Sequence, residues 1–100
     1  MNQLTLEIDE KFIYVKFRPY FNQFKSFSHA DLQQVYVRKY KPIMEYGGWG
    51  IRIGLKKNKA YNISGSWGMQ LVFADGSKLL IGTRKPKELE EALQKFPVNG

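Results

Sequence analysis

Few residues of this chain could carry out covalent or acid–base catalysis. The sequence has no cysteine and a single histidine, His29, which excludes a thiolate nucleophile and every zinc site that needs cysteine. His29 stands between Ser28 and Asp31 in a segment that predicts a turn, whereas a catalytic triad needs three groups that converge in space. The sequence therefore predicts a protein that is not an enzyme and that uses neither a cofactor nor a metal.

Two tryptophans bracketed by glycines are the most distinctive motif. Trp49 lies within EYGGWGIR at residues 45–52, and Trp67 lies within GSWG at residues 65–68. We expect the glycines around Trp49 to supply positive φ angles or a bulge, with the ring packed against the end of the fold. An exposed Trp49 that forms a binding face is the alternative. We expect Trp67 at an outward turn, either in contact with a partner or membrane or folded back onto its own hairpin.

Positive charge is concentrated in the second half of the chain. The sequence has 16 Lys+Arg, 9 Asp+Glu and a net charge of +7, and residues 51–100 contribute +5 of it, from 9 basic and 4 acidic side chains. A lysine or arginine near an anionic bilayer contributes about 1 kcal/mol, so a basic hairpin could hold the domain there weakly. A solvated hairpin tip is the alternative. The densest cluster is Arg52, Lys56, Lys57 and Lys59, and a second cluster is Lys78, Arg84, Lys85 and Lys87.

A row of alternating aromatic and basic residues lies on one predicted strand, at Tyr36, Arg38 and Tyr40. Residues two apart share a face of a strand, so this row could stack on single-stranded nucleic acid or cover a partner protein. The sequence contains no RRM-like run, helix-turn-helix or zinc finger. Nucleic acid is therefore the least favoured partner.

Period-2 alternation dominates residues 4–83 and predicts about seven strands. Hairpins are expected between Leu4–Ile8 and Phe12–Arg18 and between Met69–Phe73 and Lys78–Ile81, the second with Asp75-Gly76 at its turn. Residues 41–50 are expected to form a loop. Ser28 is expected to cap a helical turn, and Thr83 a C-terminal amphipathic helix over about residues 86–96. Residues 1–100 are expected to form one domain around a single core.

The segments EYGGWGIR (45–52), AYNISGSWGMQL (60–71) and LLIGTRKPKELEEAL (79–93) resemble the bacterial pleckstrin-homology-like (PH-like) domains of unknown function. These segments fall within residues 45–93, about half of the chain, and the N-terminal half fits the pattern more loosely. The resemblance implies a mainly β (α+β) fold, a seven-stranded antiparallel barrel or sandwich capped by one C-terminal helix. It implies no catalytic activity.

The resemblance also implies a binding or scaffolding module. We expect protein–protein association or self-association, with peripheral binding of anionic phospholipid through the basic hairpin and tip tryptophans as the alternative. Eukaryotic PH domains bind phosphoinositides through basic residues around the first hairpin loop, which here is the largely acidic Asp9-Glu10-Lys11. That head-group site is therefore not carried over. The candidate interaction surface comprises Tyr36, Arg38, Tyr40, Trp49, Arg52, Lys56, Lys57, Lys59 and Trp67.

The sequence shows neither a secretory signal nor an apolar segment of membrane-spanning length. This predicts a cytoplasmic location. Members of the family often carry hydrophobic membrane segments ahead of this domain. The inner face of the membrane is therefore the expected location if a longer parent protein supplies an N-terminal anchor.

Overall fold

Eight strands and two helices build the part of the chain that the computed structural model describes, residues 3–54 and 58–96. The strands are β1 (Gln3–Ile8), β2 (Phe12–Arg18), β3 (Phe21–Ser28), β4 (Leu32–Lys39), β5 (Gly50–Ile53), β6 (Lys59–Asn62), β7 (Trp67–Phe73) and β8 (Lys78–Thr83). The helices are α1 (Pro42–Tyr46) and α2 (Pro86–Leu93), and a short 3-10 turn spans His29–Asp31. No helix among these residues is long and apolar enough to cross a membrane.

The strands form two sheets, one in the order β1-β2-β3 and the other in the order β4-β7-β8-β6-β5. Their shared core is built from the inward residues of both, including the fully buried Ile13, Val15 and Phe17 of β2 and Met69 and Leu71 of β7. The expectation of a mainly β fold with a C-terminal helix is confirmed. The expected seven-stranded antiparallel arrangement is wrong, because the described strands number eight, β6 and β8 pair in parallel, and the sheets do not close into a barrel.

The C-terminal helix α2 packs against β4 and β7 through its apolar stripe. Leu89 is buried in the core, and Phe96, which follows the helix in a turn, is 2% exposed. The helix is three residues shorter than expected, ending at Leu93. Thr83 does not cap it: the Thr83 hydroxyl accepts a hydrogen bond from the N–H of Lys85 at 3.0 Å, and Lys85 is itself the N-cap residue.

A second helix, α1, occupies the segment that was expected to be a loop. Pro42 stands in its first turn, where a missing N–H costs nothing. The helix ends at Gly47, whose φ of 76° suits glycine, and the Gly47 N–H donates to the carbonyl of Ile43 at 2.9 Å. Tyr46 is buried on the outer face of the five-stranded sheet, with its ring centroid 6.2 Å from that of Tyr40. Five residues are too few for a helical period to repeat, so the sequence pattern missed this element.

Candidate functional site

The expected row of Tyr36, Arg38 and Tyr40 is not a continuous exposed surface. Tyr36 is 36% exposed, but Tyr40 is 3% exposed because α1 covers its end of β4. The Tyr40 hydroxyl accepts a hydrogen bond from the side-chain amide of Asn62, and burial raises the pKa of Tyr40 above its ordinary value. Tyr40 is therefore a core residue, and its assignment to the interaction surface is wrong.

Arg38 is held by its own neighbours. Its Nη2 lies 2.6 Å from Glu45 Oε1, its Nη1 lies 3.4 Å from Glu45 Oε2, and its Nε donates to Gln70 Oε1 at 3.0 Å. The hydrogen bonds between them hold the pKa of Glu45 below, and the pKa of Arg38 above, the ordinary values. This two-point ion pair fastens α1 to β4, so Arg38 acts first as a structural residue.

Trp49 is half-exposed and fastened to the neighbouring loop. Its indole Nε1 donates to the carbonyl of Gly65 at 3.2 Å, and Arg52 Nε donates to the carbonyl of Trp49 at 3.0 Å. Gly48 and Gly50 have φ angles of 131° and 108°, as the glycine pattern predicted. The ring is 40% exposed, so it combines a structural bond with an accessible face.

Trp67 lies at the start of β7 rather than in a turn. Its strand neighbours are Lys39 on β4 and Thr83 on β8, and the ring is 41% exposed. Of the expected basic hairpin, Arg52 and Lys59 are exposed on β5 and β6. Lys56 and Lys57 lie outside the described residues.

An apolar surface that the sequence analysis did not identify surrounds the junction of α1 and β5. Ile43 and Met44 of α1 are 66% and 80% exposed, and Ile53 of β5 is 67% exposed. The end of β5 abuts α1, because a Cβ at Gly54 would lie 2.9 Å from the carbonyl oxygen of Glu45. Together with two cations these residues form what we term the α1–β5 surface: Ile43, Met44, Arg52, Ile53 and Lys59.

The first strand has an open edge. The N–H of Asp9 donates to the carbonyl of Phe12 at 3.0 Å, so these two residues form the hydrogen-bonded pair that closes the β1–β2 turn. Hydrogen-bonded and non-hydrogen-bonded pairs alternate along an antiparallel ladder. The peptide groups of Leu4, Leu6 and Ile8 therefore point away from β2. No described strand pairs with this side of β1.

A groove follows this open edge. It consists of three adjoining cavities of about 370, 240 and 730 Å³. The half-buried Leu4, Leu6 and Ile8 line one side of it, and the end of β8 and helix α2 line the other. Because successive cavities share lining residues, they form one channel that we term the β1 groove. Its principal residues are Leu4, Leu6, Ile8, Thr83, Lys85 and Ala92.

The two ends of the β1 groove differ in charge. The end near Leu4 is lined by two cations, Arg84 and Lys85, and by Ser64 and Thr83. Arg84 donates hydrogen bonds to Ser64 Oγ from Nε at 3.2 Å and from Nη2 at 3.0 Å. The end near Ile8 has four carboxylates and two ammonium groups. These are Asp9, Glu10, Glu88 and Glu91, with Lys11 and Lys95.

The second basic cluster of the sequence thus contains two residues of the groove, Arg84 and Lys85. Sequence reasoning could not assign them to a groove. An open edge depends on which strands pair across the whole chain, and local alternation carries no such information.

His29 stands in the 3-10 turn that Ser28 caps, as expected: the Ser28 hydroxyl accepts a hydrogen bond from the N–H of Ala30 at 3.1 Å. The imidazole ring is packed edge-on to Phe96, with a centroid distance of 6.3 Å. Within residues 3–54 and 58–96, no three His, Asp or Glu side chains form a group that could hold a metal ion.

Comparison with known proteins found no matching family model, no matching curated protein and no matching solved structure.

Proposed function

We propose that this chain is a non-catalytic PH-like binding module that recognises another protein, or another copy of itself, by accepting an extended segment as an additional strand. The observation that carries this proposal is the open edge of β1 beside a groove. Leu4, Leu6 and Ile8 present unpaired peptide groups at that edge. In strand addition, main-chain hydrogen bonds supply affinity and side-chain pockets supply specificity.

The PH-like assignment is supported by the order of elements. Eight strands in two packed sheets precede a helix that packs against β4 and β7. The three segments that carry the resemblance contribute all of α2, most of β5 to β8 and the last two residues of α1. The parallel pairing of β6 with β8 departs from the all-antiparallel arrangement that the resemblance implies.

The energetics require the groove as well as the edge. The open edge from Leu4 to Ile8 spans about 14 Å and offers three N–H and three C=O groups. At roughly 1 kcal/mol net for each hydrogen bond, the edge alone contributes about 6 kcal/mol. That is no more than the lower part of the 4 to 15 kcal/mol cost estimated for association. Apolar side chains of the partner must therefore fill the β1 groove, which makes binding selective.

The test is selection from a phage-displayed library of random short peptides, followed by NMR of the complex. We expect selected peptides to bind in an extended conformation, with nuclear Overhauser effects between the peptide backbone and the backbone of a strand edge. A library that yields no binder, or binders that adopt a helical conformation, would contradict strand addition.

Docking on anionic lipid is a second candidate function, and the α1–β5 surface favours it. Ile43, Met44 and Ile53 are exposed on α1 and β5. Lys59 pairs with Ile53 and shares its face, whereas the exposed Arg52 precedes Ile53 on β5 and points to the opposite face. Protruding apolar side chains that enter the acyl boundary, together with cations that attract anionic head groups, are typical of peripheral membrane binding.

The nucleic-acid alternative loses support, because Tyr40 is buried and the expected stacking row is broken.

Flotation with vesicles of phosphatidylcholine and phosphatidylserine tests the lipid candidate. If it holds, the protein floats at low salt and not at high salt, because exposed charges are screened. Met44→Asp then abolishes flotation, whereas Arg84→Gln, which lowers the net charge by the same one unit at a different surface, retains it. A protein that stays at the bottom of the gradient at low salt would exclude this function.

A further inference from the structure

We infer that the segment bound in the β1 groove is acidic at the end next to Arg84 and Lys85 and carries two apolar side chains separated by one residue. This inference rests on the proposed strand addition at β1. It specifies the chemistry of the partner, which strand addition alone does not.

The apolar pattern follows from the register of the first hairpin. Leu4, Leu6 and Ile8 pair with Phe17, Val15 and Ile13, all of which are fully buried, so the three β1 side chains point inward. Residues directly opposite each other on neighbouring strands share a face. An added strand would therefore place alternate side chains beside these three.

The inward side chains of that added strand would meet an apolar wall. Leu89 and Ala92 of α2 line the middle of the groove, and Ile63 lines the end near Leu4. Leucine, isoleucine or valine at two positions separated by one residue would fill this space. A charged residue at either position would lose hydration without gaining a partner.

The acidic preference follows from the end of the groove near Leu4. None of the described residues that line this cavity is acidic, and Arg84 and Lys85 both line it. A guanidinium has five N–H donors, of which Ser64 accepts two from Arg84. Arg84 therefore keeps donors for a carboxylate, in the geometry that guanidinium groups favour.

Lys85 is also available to a partner. Its ammonium lies 3.9 Å from Glu88, and the two side chains are 77% and 68% exposed. An ion pair this long and this exposed contributes little to stability. A carboxylate of the bound segment can therefore compete with Glu88 for the Lys85 ammonium. The hydroxyl of Thr83, on the same wall, adds a further polar neighbour.

The opposite end of the groove gives the bound segment a direction. Its four carboxylates outnumber its two ammonium groups, Lys11 and Lys95. The Asp9 carboxylate already accepts hydrogen bonds from the turn N–H groups of Lys11 and Phe12, at 2.8 and 2.7 Å. The remaining carboxylates favour a basic or neutral residue there. A bound segment with its acidic residue near Leu4 and a basic or neutral residue near Ile8 is therefore complementary in charge to both ends of the groove. A segment bound in the opposite direction would be complementary to neither end.

The experiment uses the peptides from the phage-displayed random library. We expect the enriched sequences to share two apolar residues separated by one position, preceded or followed by Asp or Glu. Arg84→Glu should weaken binding by roughly tenfold or more, as measured by fluorescence anisotropy. Lys39→Glu is the matched control, because it reverses the same charge on an exposed residue of β4 that does not line the groove, and it should change the affinity less than about twofold.

A charge exchange completes the test. Replacing the acidic residue of the peptide by lysine should weaken binding to the wild-type protein and restore it toward Arg84→Glu. Peptides that bind the groove with no acidic preference, or that lose no affinity on Arg84→Glu, would overturn the inferred partner chemistry.

The two proposals fail differently. Peptides that add as a strand but shift the amide signals of Ile51 and Ile53 would move the site to β5, overturning this inference while leaving strand addition intact. A library with no strand-forming binder would overturn both.

Discussion

Tyr40 and Asn62 are joined by a buried hydrogen bond that crosses two intervening strands on the outer face of the five-stranded sheet. Asn62 Nδ2 donates to the Tyr40 hydroxyl at 2.5 Å, and Asn62 Oδ1 accepts from the N–H of Gly50 at 3.0 Å. The two residues reach each other because Gly82 lies between them, where a Cβ would be 2.8 Å from Asn62 Cβ. One buried amide thus ties β4, β5 and β6 together beneath α1.

Removing the hydroxyl in Tyr40→Phe leaves the Asn62 amide buried without its acceptor. We expect a loss of about 1–3 kcal/mol in the free energy of unfolding, measured by chemical denaturation. Tyr36→Phe is the matched control on the same strand, and it should change stability by less than about 0.5 kcal/mol because Tyr36 is exposed. Equal effects of the two substitutions would contradict the structural role of Tyr40.

Gly82→Ala tests the close approach of the strands directly. The added methyl group would lie 2.8 Å from Asn62 Cβ and 3.3 Å from its Cα, so backbone as well as side chain must shift. We expect destabilisation of about 1–3 kcal/mol and a change in the Asn62 side-chain amide signals in the NMR spectrum. A variant with wild-type stability and unchanged signals would show that the approach is looser than described.

The ion pair between Arg38 and Glu45 makes stability depend on pH. The hydrogen bond from Arg38 lowers the pKa of Glu45 below the reference value of 4.5, so the stabilisation is present above that pH and is lost as the pH falls through the folded-state pKa. Wild type should exceed Glu45→Gln by less than about 1 kcal/mol at neutral pH, because the pair is partly exposed. The difference should vanish in acid. A difference that is the same at both pH values would contradict this account.

The bond from the Trp49 indole to Gly65 predicts different roles for the two tryptophans. Trp49→Phe removes the only ring N–H that Trp49 has and should cost about 0.5–1.5 kcal/mol. Trp67→Phe should cost less, because the Trp67 indole donates no hydrogen bond to another described residue and the two tryptophans are equally exposed. Thermal unfolding of the two single variants measures the loss of stability. A larger loss for Trp67→Phe than for Trp49→Phe would contradict the structural role assigned to the Trp49 indole.

The sequence predicted features that depend on neighbours along the chain. The cap formed by Ser28 and the hairpin turn at Gly76, with a φ of 89°, are set by a few adjacent residues and were predicted correctly. Alternation also placed Tyr36 and Tyr40 on one face of β4. It could not show that α1 covers one of them, since burial depends on what packs over a face. The β1 groove was missed for the same reason.

Strand addition requires that the outward peptide groups of β1 are open in the free protein and bind an extended segment. Hydrogen exchange of the β1 amides, followed by NMR in the free protein and with a selected peptide, tests this requirement. In the free protein Thr5 and Glu7 should exchange slowly and Leu4, Leu6 and Ile8 quickly, and the peptide should slow the latter three by at least about tenfold. Outward amides that are already protected in the free protein, or that are unaffected by the bound peptide, would contradict the claim.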